Sequence, residues 1–100
     1  MKRHTKIYFK FFEVEYDTIT GWHNAKSEIS GLPATDIHHI ECRGMGGSKD
    51  ADSIENLMAL TREEHDKYGD KKQFINYLKQ THANYIKRFT KSKSKPMVQR

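Results

Sequence analysis

A single cysteine, Cys42, stands in 100 residues. No disulfide can close within such a chain, so its stability must come from packing and hydrogen bonds. There is also no apolar run long enough to span a bilayer. The opening stretch "MKRHTKIYFKFFEVEYD" meets Lys10 and Glu13 too soon to form a signal-peptide core. These absences lead us to expect a reduced, cytoplasmic protein with no membrane partner. No internal repeat is found, which excludes an array fold. Acidic residues are in short supply, 13 against 18 Lys and Arg, for a net charge of +5 and a pI near 9.4. That balance suits a polyanion such as nucleic acid, and equally a solvated basic surface. A chain of this length makes one small domain with a modest core, the kind that often draws on metal or oligomerisation.

The aromatic-rich segment 5–20 is ambiguous. Ile7, Phe9 and Phe11 alternate as in a strand, whereas Tyr8, Phe11, Phe12 and Glu15 are spaced as in a helix. We favour a short helix packed on the core. "GWHNAKSEISGLPA" is rich in turn residues, and "ATDIHHIE" reads as a short strand. "CRGMGGSKDADS" follows as a loop in which Gly44, Gly46 and Gly47 give backbone freedom. "IENLMAL" supplies a second strand. In "TREEHDKYG", Thr61 and Glu64 form a capping box and Gly69 a stop. Asp70 with Gln73 offers a further cap, and a last helix is expected over about 71–89. Its buried stripe would be Phe74, Leu78, Tyr85 and Phe89, with Ile75, His82 and Ile86. Residues 91–100, "KSKSKPMVQR", read as a basic, disordered tail.

Polar residues fall at the working points of this strand–loop–strand–helix unit. His38 and His39 lie on the first strand, and Asn56 stands at the start of the second. His65 is in the first helical turn, nine residues after Asn56. In order and spacing, "DIHHI", "ENLMAL" and "TREEH" resemble the HNH, or ββα-metal (His-Me finger), endonucleases over roughly residues 27–68. The resemblance implies an α+β fold. Its core, about residues 34–68, would be a short two-stranded hairpin and a helix, with flanking helices, in a single domain over 1–90. It further implies a metal-dependent endonuclease that hydrolyses DNA phosphodiester bonds, with double-stranded DNA as partner.

In that scheme His39 is the general base and Asn56 holds the loop that orients it. His38 and His65 are the metal ligands. The residue types suit the tasks, since imidazole titrates near neutrality and binds divalent cations when neutral. Gly69 stands four residues after His65, so only two protein ligands are expected. Mg²⁺ or Mn²⁺ would then serve in use, and Zn²⁺ or Ni²⁺ would also bind. Many members carry a structural zinc on two CxxC pairs. Here Ser27, Ser30, Thr61 and Glu64 occupy those positions, and a zinc-free variant is expected. Aromatics such as Phe11, Phe12, Trp22, Phe74 and Tyr85 would then stabilise it.

Neighbouring residues of a flat strand face opposite ways, so for His38 and His39 to serve one phosphate the strand should be twisted or bulged. Asp36 reads either as an acceptor orienting a histidine or as a solvated residue. His4, His23 and His82 read as structural or surface residues, His82 by packing. Arg43, Lys87, Arg88, Lys91, Lys93, Lys95 and Arg100 are candidate phosphate contacts or solvated charges. The alternative function is a non-catalytic DNA-binding module that keeps the fold. A monomer or homodimer is compatible with these residues. By family analogy, small stand-alone members belong to bacteriophages, some tied to packaging proteins, and would act in the host cytoplasm.

Overall fold

The computed structural model describes residues 1–41 and 51–94, with side chains as far as Ser92. The chain is α+β: a two-stranded antiparallel hairpin and three helices. Helix α1 spans Arg3–Phe11, strand β1 Asp36–His39 and strand β2 Leu57–Leu60. Helix α2 spans Arg62–Tyr68 and helix α3 Ile75–Ser94. No described helix is long and apolar enough to cross a membrane.

The hairpin divides the apolar residues between its two faces. Pairing runs one-to-one from Asp36↔Leu60 to His39↔Leu57 without a bulge. On one face Ile37, Leu57 and Ala59 join Tyr8, Phe9 and Phe12 of the α1 segment. On the other, Ile40, Met58 and Leu60 meet Leu78 of α3, with Tyr68 and Ile75. All four β2 residues are fully buried, as expected of a strand covered on both sides. Helical spacing wins over alternation at the amino terminus because Tyr8 and Phe12, four apart, bring one side of α1 onto the sheet.

Residues 13–34 form an irregular arm pinned by the bridges Tyr16↔His23 and Lys26↔Pro33. Gly21 and Gly31 turn it at φ near +80°, where a side chain would be strained. Trp22 does not stabilise the core as expected. It is 55% exposed, in the turn that the Asp17 N–H to Trp22 carbonyl bond closes. Glu28, in the same arm, is buried. It accepts hydrogen bonds from the Tyr8 hydroxyl at 2.6 Å and from His82 Nδ1 at 2.7 Å. His82 Nε2 donates to the Ile54 carbonyl at 2.7 Å. With both ring nitrogens facing acceptors, His82 is held as an imidazolium paired with Glu28.

Other expectations are corrected at element ends. Ile54–Asn56 is a 3₁₀ turn rather than strand, so Asn56 immediately precedes β2. Asp70 does not cap the last helix: its φ of +58° is the wrong backbone for an N-cap, and Lys72–Phe74 form a 3₁₀ turn before α3 begins. The α3 stripe is otherwise as read, with Leu78 and His82 buried and Tyr85, Ile86 and Phe89 packed against the α1 cluster. The helix continues to Ser94, so residues 91–94 are helical rather than a disordered tail. Lysine is a good helix former, and the first residue that breaks the pattern is Pro96. Residues 95–100 lie outside the described residues.

Candidate active site

Strand alternation sends the two adjacent histidines in different directions. His38, only 4% exposed, faces α2, where its ring lies 4.6 Å from that of His65. His39 faces α1, where its ring lies 4.4 Å from that of His4. The ladder pairs one-to-one through both histidines, so no bulge brings them together.

On the α2 side, the helix is placed by its own start signal. Thr61 Oγ1 accepts from Glu64 N, and Glu64 Oε1 accepts from Thr61 N, which closes the capping box. Ser27 Oγ donates to the same Glu64 oxygen at 2.6 Å, and Ser30 adds a further hydrogen bond. Burial would raise the Glu64 pKa, but these bonds outweigh it and hold it low. Ser27, Ser30, Thr61 and Glu64 thus converge on one carboxylate. His65 is the fourth residue of the helix so fixed, and its Nδ1 donates to Asp36 Oδ2 at 2.9 Å. Arg62 binds both oxygens of Asp36. Of the two readings of Asp36, the structure gives the orienting acceptor. Burial pushes its pKa up, and the bonds from His65 and Arg62 bring it below the usual value.

His38 presents the unsatisfied group. Its Nε2 is buried and has no hydrogen-bond partner among the described residues. Burial, assisted by the charges of His65 and His39, lowers its pKa to about 4. Such a ring is neutral at physiological pH, the form in which imidazole can bind a cation. Gly69 closes the pocket. A Cβ there would stand 2.4 Å from His65 Cδ2 and 3.2 Å from His38 Cε1. The arrangement fits a divalent cation: one orphaned imidazole nitrogen, and a second imidazole whose other nitrogen is held by a carboxylate.

On the α1 side, His39 Nε2 lies 2.7 Å from Asp52 Oδ1. Asp52 is buried, and its other oxygen accepts from Arg3 at 2.9 Å. Asn56 is the clamp at the base of the long loop. Its Oδ1 accepts from Glu41 N at 2.9 Å, and its Nδ2 donates to the carbonyls of Glu41 and Ala51. Its own carbonyl accepts from Ile40 N, one residue beyond His39.

Neither His38 nor His39 lines the hollows beside β1. β2 is covered along its outer edge by Glu28, whose N–H donates to the Ala59 carbonyl. Along β1 runs a groove of about 520 Å³, bordered by Lys2, His4 and Thr5 of the α1 segment, Asp36 of β1, and Arg62 and His65 of α2. A second hollow of about 380 Å³ shares Thr5, Thr35 and Ile37 with it and is walled by Phe9, Tyr16 and Trp22.

His82 is buried and bonded, as read, whereas His4 belongs to the site rather than to an indifferent surface. Lys87, Arg88 and Lys91 are exposed on α3 and do not line the groove, whose basic residues are Lys2 and Arg62. Arg43, Lys95, Arg100 and the side chain of Lys93 lie outside the described residues. Sequence reasoning missed Asp52, Lys2 and Glu28. Nothing in "SKDADS" separates Asp52 from Asp50, because only the fold brings it under His39.

Comparison of the chain with family models, with curated proteins and with solved structures found no match in any of the three.

Proposed function

We propose that this protein is a metal-dependent DNA endonuclease of the ββα-metal kind. The observation that carries the reading is the buried Nε2 of His38 beside His65, unpartnered among the described residues. Deep in a small domain, a nitrogen left without a partner is costly unless something arrives to use it. Two further facts support it. The four positions where the family's zinc cysteines would stand gather around Glu64. Asn56 ties the loop to the end of β1.

His38 and His65 would hold a divalent cation, with Mg²⁺ or Mn²⁺ in use. When bound, it supplies positive charge for the developing phosphorane oxygens and the departing oxygen. Asp52 accepts the Nε2 proton of His39, which leaves Nδ1 as the basic nitrogen. Nδ1 takes a proton from water as the water oxygen attacks phosphorus. The P–O3′ bond breaks, the departing 3′ oxygen takes a proton from solvent water, and 5′-phosphate and 3′-hydroxyl ends remain, while Asp52 stabilises the imidazolium that forms. Lys2 and Arg62 border the groove and suit the phosphate backbone. The aromatic hollow beside it suits a base face.

Incubating the full chain with supercoiled and single-stranded DNA across Mg²⁺, Mn²⁺, Zn²⁺ and Ni²⁺ tests the proposal. Metal-dependent nicking, abolished by chelator, is expected. DNA binding without any cleavage would make it a binding module instead.

A further inference from the structure

Among the described residues, His4, His39 and Asp52 form a group of three whose ligand atoms all lie within 4.8 Å of one another. It is separate from the His38–His65 pair, since it sits on the α1 face of the hairpin. We propose that these three side chains are a second metal site, selective for zinc-class dications, and that its occupation switches off the base. The inhibitory half rests on the nuclease reading above; the binding half does not.

The donor set decides the metal. Two imidazoles and one carboxylate suit Zn²⁺, Ni²⁺ or Co²⁺, whereas Mg²⁺ prefers oxygen ligands and keeps its waters. The three ligands come from α1, β1 and the segment preceding β2, so the fold itself assembles them. Asp52 is buried. Arg3 holds its Oδ2, which orients Oδ1 toward His39. A metal entering here displaces the proton shared by Asp52 Oδ1 and His39 Nε2, and one proton is released to solvent. The pair, now 2.7 Å apart, opens slightly as the cation takes the proton's place.

Inhibition follows from the tautomer. With Nε2 bound to metal, the neutral ring of His39 carries its remaining proton on Nδ1. That nitrogen then has no lone pair to accept a proton from water. Zinc at this site therefore blocks proton removal while leaving His38 and His65 untouched. Activity in Mg²⁺ should fall as Zn²⁺ is added.

Zn²⁺ titration by calorimetry of the full chain, beside His4→Ala and His38→Ala, reads the binding half. Wild type should bind two Zn²⁺ per chain. His4→Ala should lose one site or weaken it at least tenfold, and His38→Ala should lose the other. Asp52→Asn repeats the first test with the α1 sequence unchanged. Co²⁺ absorption should show visible bands that fall in His4→Ala. Zinc inhibition in Mg²⁺, measured relative to each protein's own zinc-free rate, should need at least tenfold more Zn²⁺ in His4→Ala. Equal stoichiometry and affinity in wild type, His4→Ala and Asp52→Asn would overturn the site. Inhibition unchanged in His4→Ala would overturn the switch. A protein that loses one zinc with His4→Ala but never cuts DNA would keep this site and lose the nuclease reading.

Discussion

The two faces of the hairpin carry adjacent residues of the same type and treat them oppositely. On the α2 face, the buried nitrogen of His38 has no partner among the described residues. On the α1 face, the nitrogen of His39 is fastened to a buried carboxylate. In the proposed function the first arrangement would receive a cation, and the second would fix a tautomer for a base. Identical side chains thus acquire different chemistry from what packs against each side of one short strand. With no bulge in the ladder the two histidines stay on opposite faces, and the groove beside β1 is bordered by their ring neighbours His4 and His65 rather than by His38 and His39 themselves.

The largest test of this contrast is His39→Ala. Cleavage should fall by roughly 10²–10⁴-fold, the usual worth of a general base, with DNA binding retained. Excess Mn²⁺ should not restore cutting, whereas raised pH should restore part of it by supplying hydroxide. His38→Ala should respond the other way, regaining activity with excess Mn²⁺. A plasmid-nicking assay over metal concentration and pH distinguishes the two patterns.

Next in size is the support behind each histidine. Asp52→Asn should lower the cleavage rate at saturating DNA by about 10–100-fold, the range for partners that orient a functional histidine, with KM little changed. On the opposite face, Gly69→Ala puts a Cβ into His65 and its carbonyl. It should weaken Mn²⁺ binding and cost about 1–3 kcal/mol in chemical unfolding. If Gly69→Ala instead lowered activity at unchanged metal affinity, the two faces would not divide the work as described.

The smallest effects are those of pH on stability, where two buried histidines act in opposite senses. His38 has a folded pKa near 4, below its unfolded value. The unfolded chain therefore binds more protons between about pH 4 and 6.5, and stability falls as pH drops through that window. For His82, burial disfavours the charge, but the hydrogen bond and charge of Glu28 outweigh burial and raise the pKa. Its contribution is complete below about pH 6.5 and is lost as pH rises through the raised value. Thermal melts over pH should show the acid-side slope lessened in His38→Gln, and a basic-side slope lessened when His82 and Glu28 are replaced together.

What could be read from the sequence was local. Thr61, Glu64 and Gly69 announce α2 because caps and stops act within a few residues. The α3 stripe follows from helical spacing. Asn56 as a clamp came from the family resemblance, and its hydrogen bonds to Glu41 and Ala51 agree with it. The contacts that needed the fold were those between distant segments. Asp52 lies 13 residues from His39, and His4 reaches His39 only because α1 packs on that face. Glu28 lies 54 residues from His82. Asp70 misled because its composition favours a cap, whereas the turn after Gly69 requires a left-handed backbone there.

The most direct test of the central claim is Mn²⁺ affinity in zinc-free wild type, His38→Ala and His39→Ala, measured from the free-ion electron paramagnetic resonance signal. The account predicts at least tenfold weaker binding in His38→Ala and wild-type binding in His39→Ala. Loss of Mn²⁺ in His39→Ala with retention in His38→Ala would contradict it.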